Sequence, residues 1–129
     1  SMLVDVAIGE IFDKITILDI KVERITDPDR LRYIVKERQV LEQALSDESG
    51  VMEPSLYEEL KDINIKIWDT EAGFREKESN KEFDEQFIEL ARLNAKYNDE
   101  RFLVKKKINE HYDCEIREQK SYDRLYTSD

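Results

Sequence analysis

The residues of this sequence best suited to chemistry are charged side chains at helical spacing. Trp68, Glu71, Arg75 and Glu78 follow at intervals of three, four and three, which on a helix aligns three charges beside one indole ring. Such a face could hold a ligand, with Trp68 stacking, Arg75 neutralising an anion and Glu71 orienting hydroxyls or acting as a general base. The competing reading is an ion-pair ladder on a solvated helix anchored by Trp68.

A second set, Asn94, Asn98, Arg101 and Lys105, has the same spacing further along. It reads either as a polar seam that fixes register between packed helices or as an anion site. In the second case Arg92, Arg101 and Lys105 would neutralise charge, Asn98, Asp99 and Asn109 would supply hydrogen bonds, and Tyr97 would stack. The run from Arg101 to Lys107 holds four cations and no anion. It could meet an acidic stretch such as Asp84, Glu85 and Glu89 of a second chain.

Other chemistries find less support. His111 and Cys114 lie one turn apart, but no glycine-rich oxyanion turn accompanies them, and Cys114 reads as an inert thiol. The pairs Glu82/Glu85 and Glu59/Asp62 match the Glu-x-x-Glu and Glu-x-x-Asp spacing of helical magnesium pyrophosphohydrolases. Their order is reversed, and 31 acidic residues make chance matches expected. There is no phosphate-cradling glycine loop and no metal-spaced His/Cys cluster. Neither cofactor nor metal is expected, and whether a reaction is catalysed stays open.

The elements that must position these groups follow from composition. The 129 residues are 40% charged and 40% hydrophobic with only three Gly and two Pro, the balance of long solvated helices in one domain. A net charge of −10 argues against broad contact with nucleic acid or anionic lipid. No apolar run reaches the ~20 residues of a membrane span, no signal peptide is visible, and a lone cysteine suits a reducing compartment. Cytoplasmic location is the expectation.

Apolar residues at Ile8, Ile11, Ile15, Leu18, Val22 and Ile25 form one helical stripe. Asp27-Pro28 caps a second helix with Leu31, Ile34, Leu41 and Leu45 on one face; Arg38 interrupts that face, and Tyr33, Val35 and Val40 widen it toward a second neighbour. The stretch 46–54 reads as a loop. Capping boxes at Ser55-Glu58 and Ser79-Glu82 start a third and a fourth helix. The predicted helices cover about 5–25, 28–46, 55–78 and 82–118, with a tail over 119–129. The fold class is an all-α, elongated antiparallel bundle of about four helices. A fourth helix of about 55 Å outruns the first two at about 27 Å. Val104, Ile108 and Tyr112 then call for a second chain, unless the helix breaks at Asn98-Asp99, and a homodimer is expected.

Ile8-Gly9-Glu10, Asp13-Lys14-Ile15-Thr16-Ile17-Leu18, Trp68 with Glu71, Arg75 and Glu78, Phe83-Asp84, Phe87-Ile88 and Leu90-Ala91-Arg92 also carry a resemblance. With Asn98-Asp99, Arg101, Ile108-Asn109, Glu118 and Lys120-Ser121-Tyr122, the chain resembles, over nearly its whole length, a bacterial and phage family of small helical domains of unknown function. The chain departs from the pattern at Asn94-Ala95-Lys96 and Asp113-Cys114. The resemblance implies a helical domain, some of whose relatives occur near glycosyltransferase or surface-polysaccharide functions. It emphasises Glu10, Asp13, Lys14, Lys21, Arg24, Glu71, Arg75, Arg92, Asn98, Asp99 and Arg101. Gly9 would permit a close approach at the start of helix one, and the tail would fold back against Glu10, Asp13 and Lys14.

The expected function is a homodimeric helical interaction or scaffold module with a protein partner. The alternative is a domain for an anionic small molecule such as a nucleotide, sugar phosphate or nucleotide sugar.

Overall fold

The computed structural model describes residues 1–114, 118–122 and 125. Those residues form four helices and no strand: α1 (Ile8–Arg24), α2 (Pro28–Ser49), α3 (Pro54–Ser79) and α4 (Glu85–His111). The bundle is all-α, as composition implied.

α1 is the central helix and packs on all three others, so its burial is wider than a single stripe. Phe12, Ile15 and Ile20 are fully buried and Leu18 nearly so, whereas Val22 at the end of the expected stripe is exposed. α3 and α4 form an antiparallel hairpin closed by the turn at 80–84. The core, Phe12, Ile15, Leu45, Leu56, Leu60, Val104 and Ile108, lies where α1 crosses the open end of that hairpin. Tyr112 closes it, with its ring centroid 5.6 Å from that of Phe12 and its hydroxyl accepting from the Glu53 N–H at 3.0 Å.

Several boundaries differ from expectation. α2 begins as expected at Asp27-Pro28, where the Asp27 carboxylate accepts from the Asp29 N–H at 2.9 Å. It continues to Ser49 because the chain does not turn until Gly50, whose φ of +79° suits glycine. α3 starts at Pro54, and its cap is the Glu53 side chain, which accepts from the Ser55 N–H; Ser55 lies inside the first turn. Ser79 ends α3 and 80–82 belong to the turn, with Lys81 at φ +55°, so α4 is capped instead by Asp84, whose carboxylate accepts from the Phe87 N–H at 3.0 Å.

The far end of α4 corrects a larger expectation. The helix ends at His111, where Asp113 takes φ +54° and Tyr112 and Cys114 donate back to the carbonyls of Ile108 and Asn109. It therefore does not reach 118, although 115–117 lie outside the described residues. Val104 and Ile108 are buried inside the chain, so the apolar edge thought to need a second copy already has its partners. The helix runs unbroken through Asn98, whose amide folds back on the Asn94 carbonyl at 2.9 Å.

The unmatched surface lies elsewhere. Among the described residues α2 packs chiefly on α1, reaches the α3 side of the core through Leu45, and leaves Tyr33, Val35 and Val40 exposed without the second neighbour expected there. The hairpin also continues past Arg24, the last residue of α1, whose guanidinium pairs with Asp69. Among the described residues no helix is long and apolar enough to cross a membrane.

Candidate functional site

The polar residues that matter most converge where α1 meets α3 and α4. Asp13, whose side chain is 5% exposed, accepts from the Asn64 amide at 2.9 Å and from two nitrogens of Arg101, with Nε at 2.9 Å. The same Asn64 nitrogen lies 2.8 Å from the Thr16 hydroxyl oxygen, and the Thr16 hydroxyl donates to the Asp13 carbonyl. The Asp13 carboxylate holds the Arg101 guanidinium above its usual range despite burial. A two-pronged Arg–carboxylate pair of this kind fixes rotation as well as distance.

One turn further along α4, Lys105 has only 9% of its side chain exposed. Burial works against its charge, yet the Glu10 and Glu118 carboxylates, at 2.8 and 3.0 Å, outweigh that effect and raise its pKa. Next comes Asn109, whose Oδ1 accepts from the Gly9 N–H at 2.7 Å. α1 has no side-chain cap of its own at Ala7, so α4 provides one from a distance of 100 residues. The Ile8 N–H points at the Cys114 sulfur, 3.5 Å away. Gly9 is the residue this contact requires. A Cβ there would lie 2.8 Å from Asn109 Oδ1 and 2.9 Å from the Lys105 carbonyl oxygen.

The described residues 118–122 fold back along α4. Glu118 reaches Lys105, the Lys120 ammonium sits 5.5 Å from the Phe102 ring centre, and the Tyr122 hydroxyl donates to Asp99 at 3.0 Å. Its link to Glu10 runs through Lys105; no tail contact to Asp13 or Lys14 occurs among the described residues. Phe102, Lys105, Lys106, Asn109, Glu118 and Gln119 enclose a small cavity of about 100 Å³.

The sequence candidates thus divide. Glu10, Asp13, Arg101 and Lys105 come together, while Asp99 is buried on α4 and accepts from Tyr122 of the tail. Lys14 is exposed and faces Glu37 of α2 at 4.0 Å. Asn98 bonds within its own helix. Trp68 lies near Arg24, while Glu71 and Arg75 stay exposed on the hairpin. Arg92 is exposed 4.0 Å from Glu89. The Trp68 set and the Arg101 set therefore do not build a common pocket.

Three participants escaped sequence reasoning. Asn64 sits between Leu60 and Ile67 on the buried stripe of α3, and a lone amide among isoleucines was the available signal. Asp19 and Tyr57 complete a second cluster around Arg38, the residue that interrupted the α2 stripe. The Asp19 carboxylate accepts from both Arg38 and the Tyr57 hydroxyl. Burial first, and then that carboxylate, push the Tyr57 hydroxyl well above its ordinary value.

Every buried side-chain nitrogen and oxygen among the described residues has a partner. Among them, no three His, Cys, Asp or Glu side chains converge as a metal site. The arrangement locks three helices at one register and ties down residues from both ends of the chain. Neither the curated proteins nor the solved structures contain a match to this chain. The profile of a family of unknown function, DUF6165, matches residues 2–128, and the chain belongs to that family.

Proposed function

We propose that this DUF6165 chain is a helical interaction module that assembles as a homodimer and serves as a scaffold for a protein partner. The observation that carries this reading is unused surface. The chain exposes 9009 Å², against about 7,200 Å² for a compact monomer of 15.4 kDa. The outer side of α2 and the hairpin beyond α1 both display large apolar side chains. Tyr33 and Val40 are 72% and 55% exposed on α2, and Phe83 and Ile88 are 58% and 57% exposed at the hairpin end. The buried charges, by contrast, are occupied with one another, which favours the register-fixing role over a catalytic one. Sedimentation equilibrium between about 1 and 100 µM tests the reading. A concentration-dependent dimer is expected, and a monomer throughout refutes it.

One observation favours a second reading, an anion-binding site. Lys105 is held in the small cavity by Glu118, a carboxylate from outside the helices, and a ligand phosphate or carboxylate could take that place. Thermal shift against nucleotides, nucleotide sugars and sugar phosphates tests it, since ligand at ~100 times its dissociation constant adds about 2.7 kcal/mol. A shift that disappears in Lys105→Met supports the site; a flat screen removes it.

A further inference from the structure

The outer face of α2 repeats with the spacing of a coiled-coil seam. Arg30, Tyr33, Glu37, Val40, Ala44 and Asp47 follow at intervals of three, four, three, four and three, all on one side of the helix and all exposed. This side is separate from the Leu31, Ile34, Leu41 and Leu45 face that packs toward α1. Over about 26 Å of helix it presents two large apolar anchors near the middle and opposite charges at its two ends.

That order of residues is self-complementary in one direction only. Turn a second copy antiparallel about a twofold axis between Glu37 and Val40, and each seam position meets a defined partner. Arg30 faces Asp47 of the second copy, Tyr33 faces its Ala44 and Glu37 faces its Val40, with the same three layers repeated beyond the axis. The large Tyr33 ring is matched to a small alanine, and the end charges are matched in sign. Glu37 has its carboxylate turned toward Lys14 Nζ at 4.0 Å, which leaves its methylene stem for Val40. A parallel pairing in register would set Arg30 on Arg30, Glu37 on Glu37 and Asp47 on Asp47.

The competing contacts within the chain are weak. Arg30 is 3.7 Å from Asp27, both well exposed, and Asp47 accepts from the neutral amide of Gln43 on the same helix.

From this pattern we infer that α2 is the dimer interface and that it pairs antiparallel with α2 of a second copy through the seam Arg30, Tyr33, Glu37, Val40, Ala44 and Asp47. The inference rests on the homodimer reading above and adds its surface and its direction.

Reversing the end charges tests both. Arg30→Asp alone or Asp47→Arg alone places like charges at two symmetry-related layers, and each is expected to raise the dimer dissociation constant at least about tenfold, equivalent to ~1.4 kcal/mol. The double variant Arg30→Asp/Asp47→Arg restores the match and is expected to recover the dimer. All six positions are solvent-exposed, so circular dichroism should show unchanged helix content in every variant. A wild-type dimer insensitive to both single changes overturns the α2 interface and leaves the homodimer standing. A dimer weakened by both but not recovered in the double variant overturns the antiparallel pairing. A wild-type monomer up to about 100 µM overturns the seam and the homodimer together.

Discussion

Replacing Gly9 by alanine should destabilise this protein, against the usual sense of that change. In an ordinary helix interior, Gly→Ala gains about 1 kcal/mol through backbone entropy and exposed-peptide effects. At Gly9 the added Cβ would meet Asn109 Oδ1 at 2.8 Å and the Lys105 carbonyl oxygen at 2.9 Å. The carbonyl belongs to α4 backbone and cannot rotate away, so α1 must move. Overpacking of this kind costs about 1–3 kcal/mol. Movement also stretches the 2.7 Å bond that caps α1, a further ~1 kcal/mol. The net expectation is a loss of about 1–3 kcal/mol in urea unfolding followed by circular dichroism. Gly73→Ala is the control. There the new Cβ would meet only Leu90 side-chain carbons at 3.1 Å, and a leucine tip can turn, so the change should stay within about 1 kcal/mol of neutral. Equal or higher stability for Gly9→Ala would refute the claim that α1 approaches α4 this closely.

Two further expectations concern the charged clusters. Asp13→Ala strands a half-buried Arg101 and the Asn64 amide, and should lower unfolding free energy by about 2–4 kcal/mol; Asp13→Leu combined with Arg101→Met and Asn64→Leu should recover most of that loss in the same urea assay. Tyr57 has its pKa raised by burial and by Asp19, so its contribution is fully present below about pH 10, the unfolded value, and is lost as pH rises past it. Urea titrations from pH 8 to 11 should show stability falling above about pH 10, with a shallower fall in Tyr57→Phe.

Much of the architecture was legible because it is local. The apolar spacing of α1 and the Asp27-Pro28 cap each act within a few residues, and each marks an element that exists. Starts were misjudged where two local signals competed. Pro54 and Asp84 set the helix starts in place of Ser55 and Ser79: the fixed proline φ starts α3 one residue early with Ser55 inside its first turn, and Ser79 is the last residue of α3, so the Asp84 carboxylate caps α4.

The site was legible only in fragments. Arg101 and Lys105 stood out as cations at helical spacing, and Glu10 and Asp13 stood out through resemblance. Nothing in local pattern states that positions 13 and 101 touch. The second neighbour expected for α2 was read from Tyr33, Val35 and Val40. The structure leaves all three exposed, because apolar residue type alone does not state whether a neighbouring element is there to cover it.

The long-range capping of α1 has a consequence for birth on the ribosome. The Arg101–Asp13 pair spans 88 positions and the Asn109–Gly9 cap spans 100. At ~5–20 residues per second of synthesis, Asp13 waits about 4–18 s for Arg101 to be made. During that interval Phe12, Ile15 and Ile20 belong to a helix whose α4 neighbour does not yet exist. A nascent chain of this protein therefore carries those side chains without their α4 neighbour until Arg101 and Asn109 have been made.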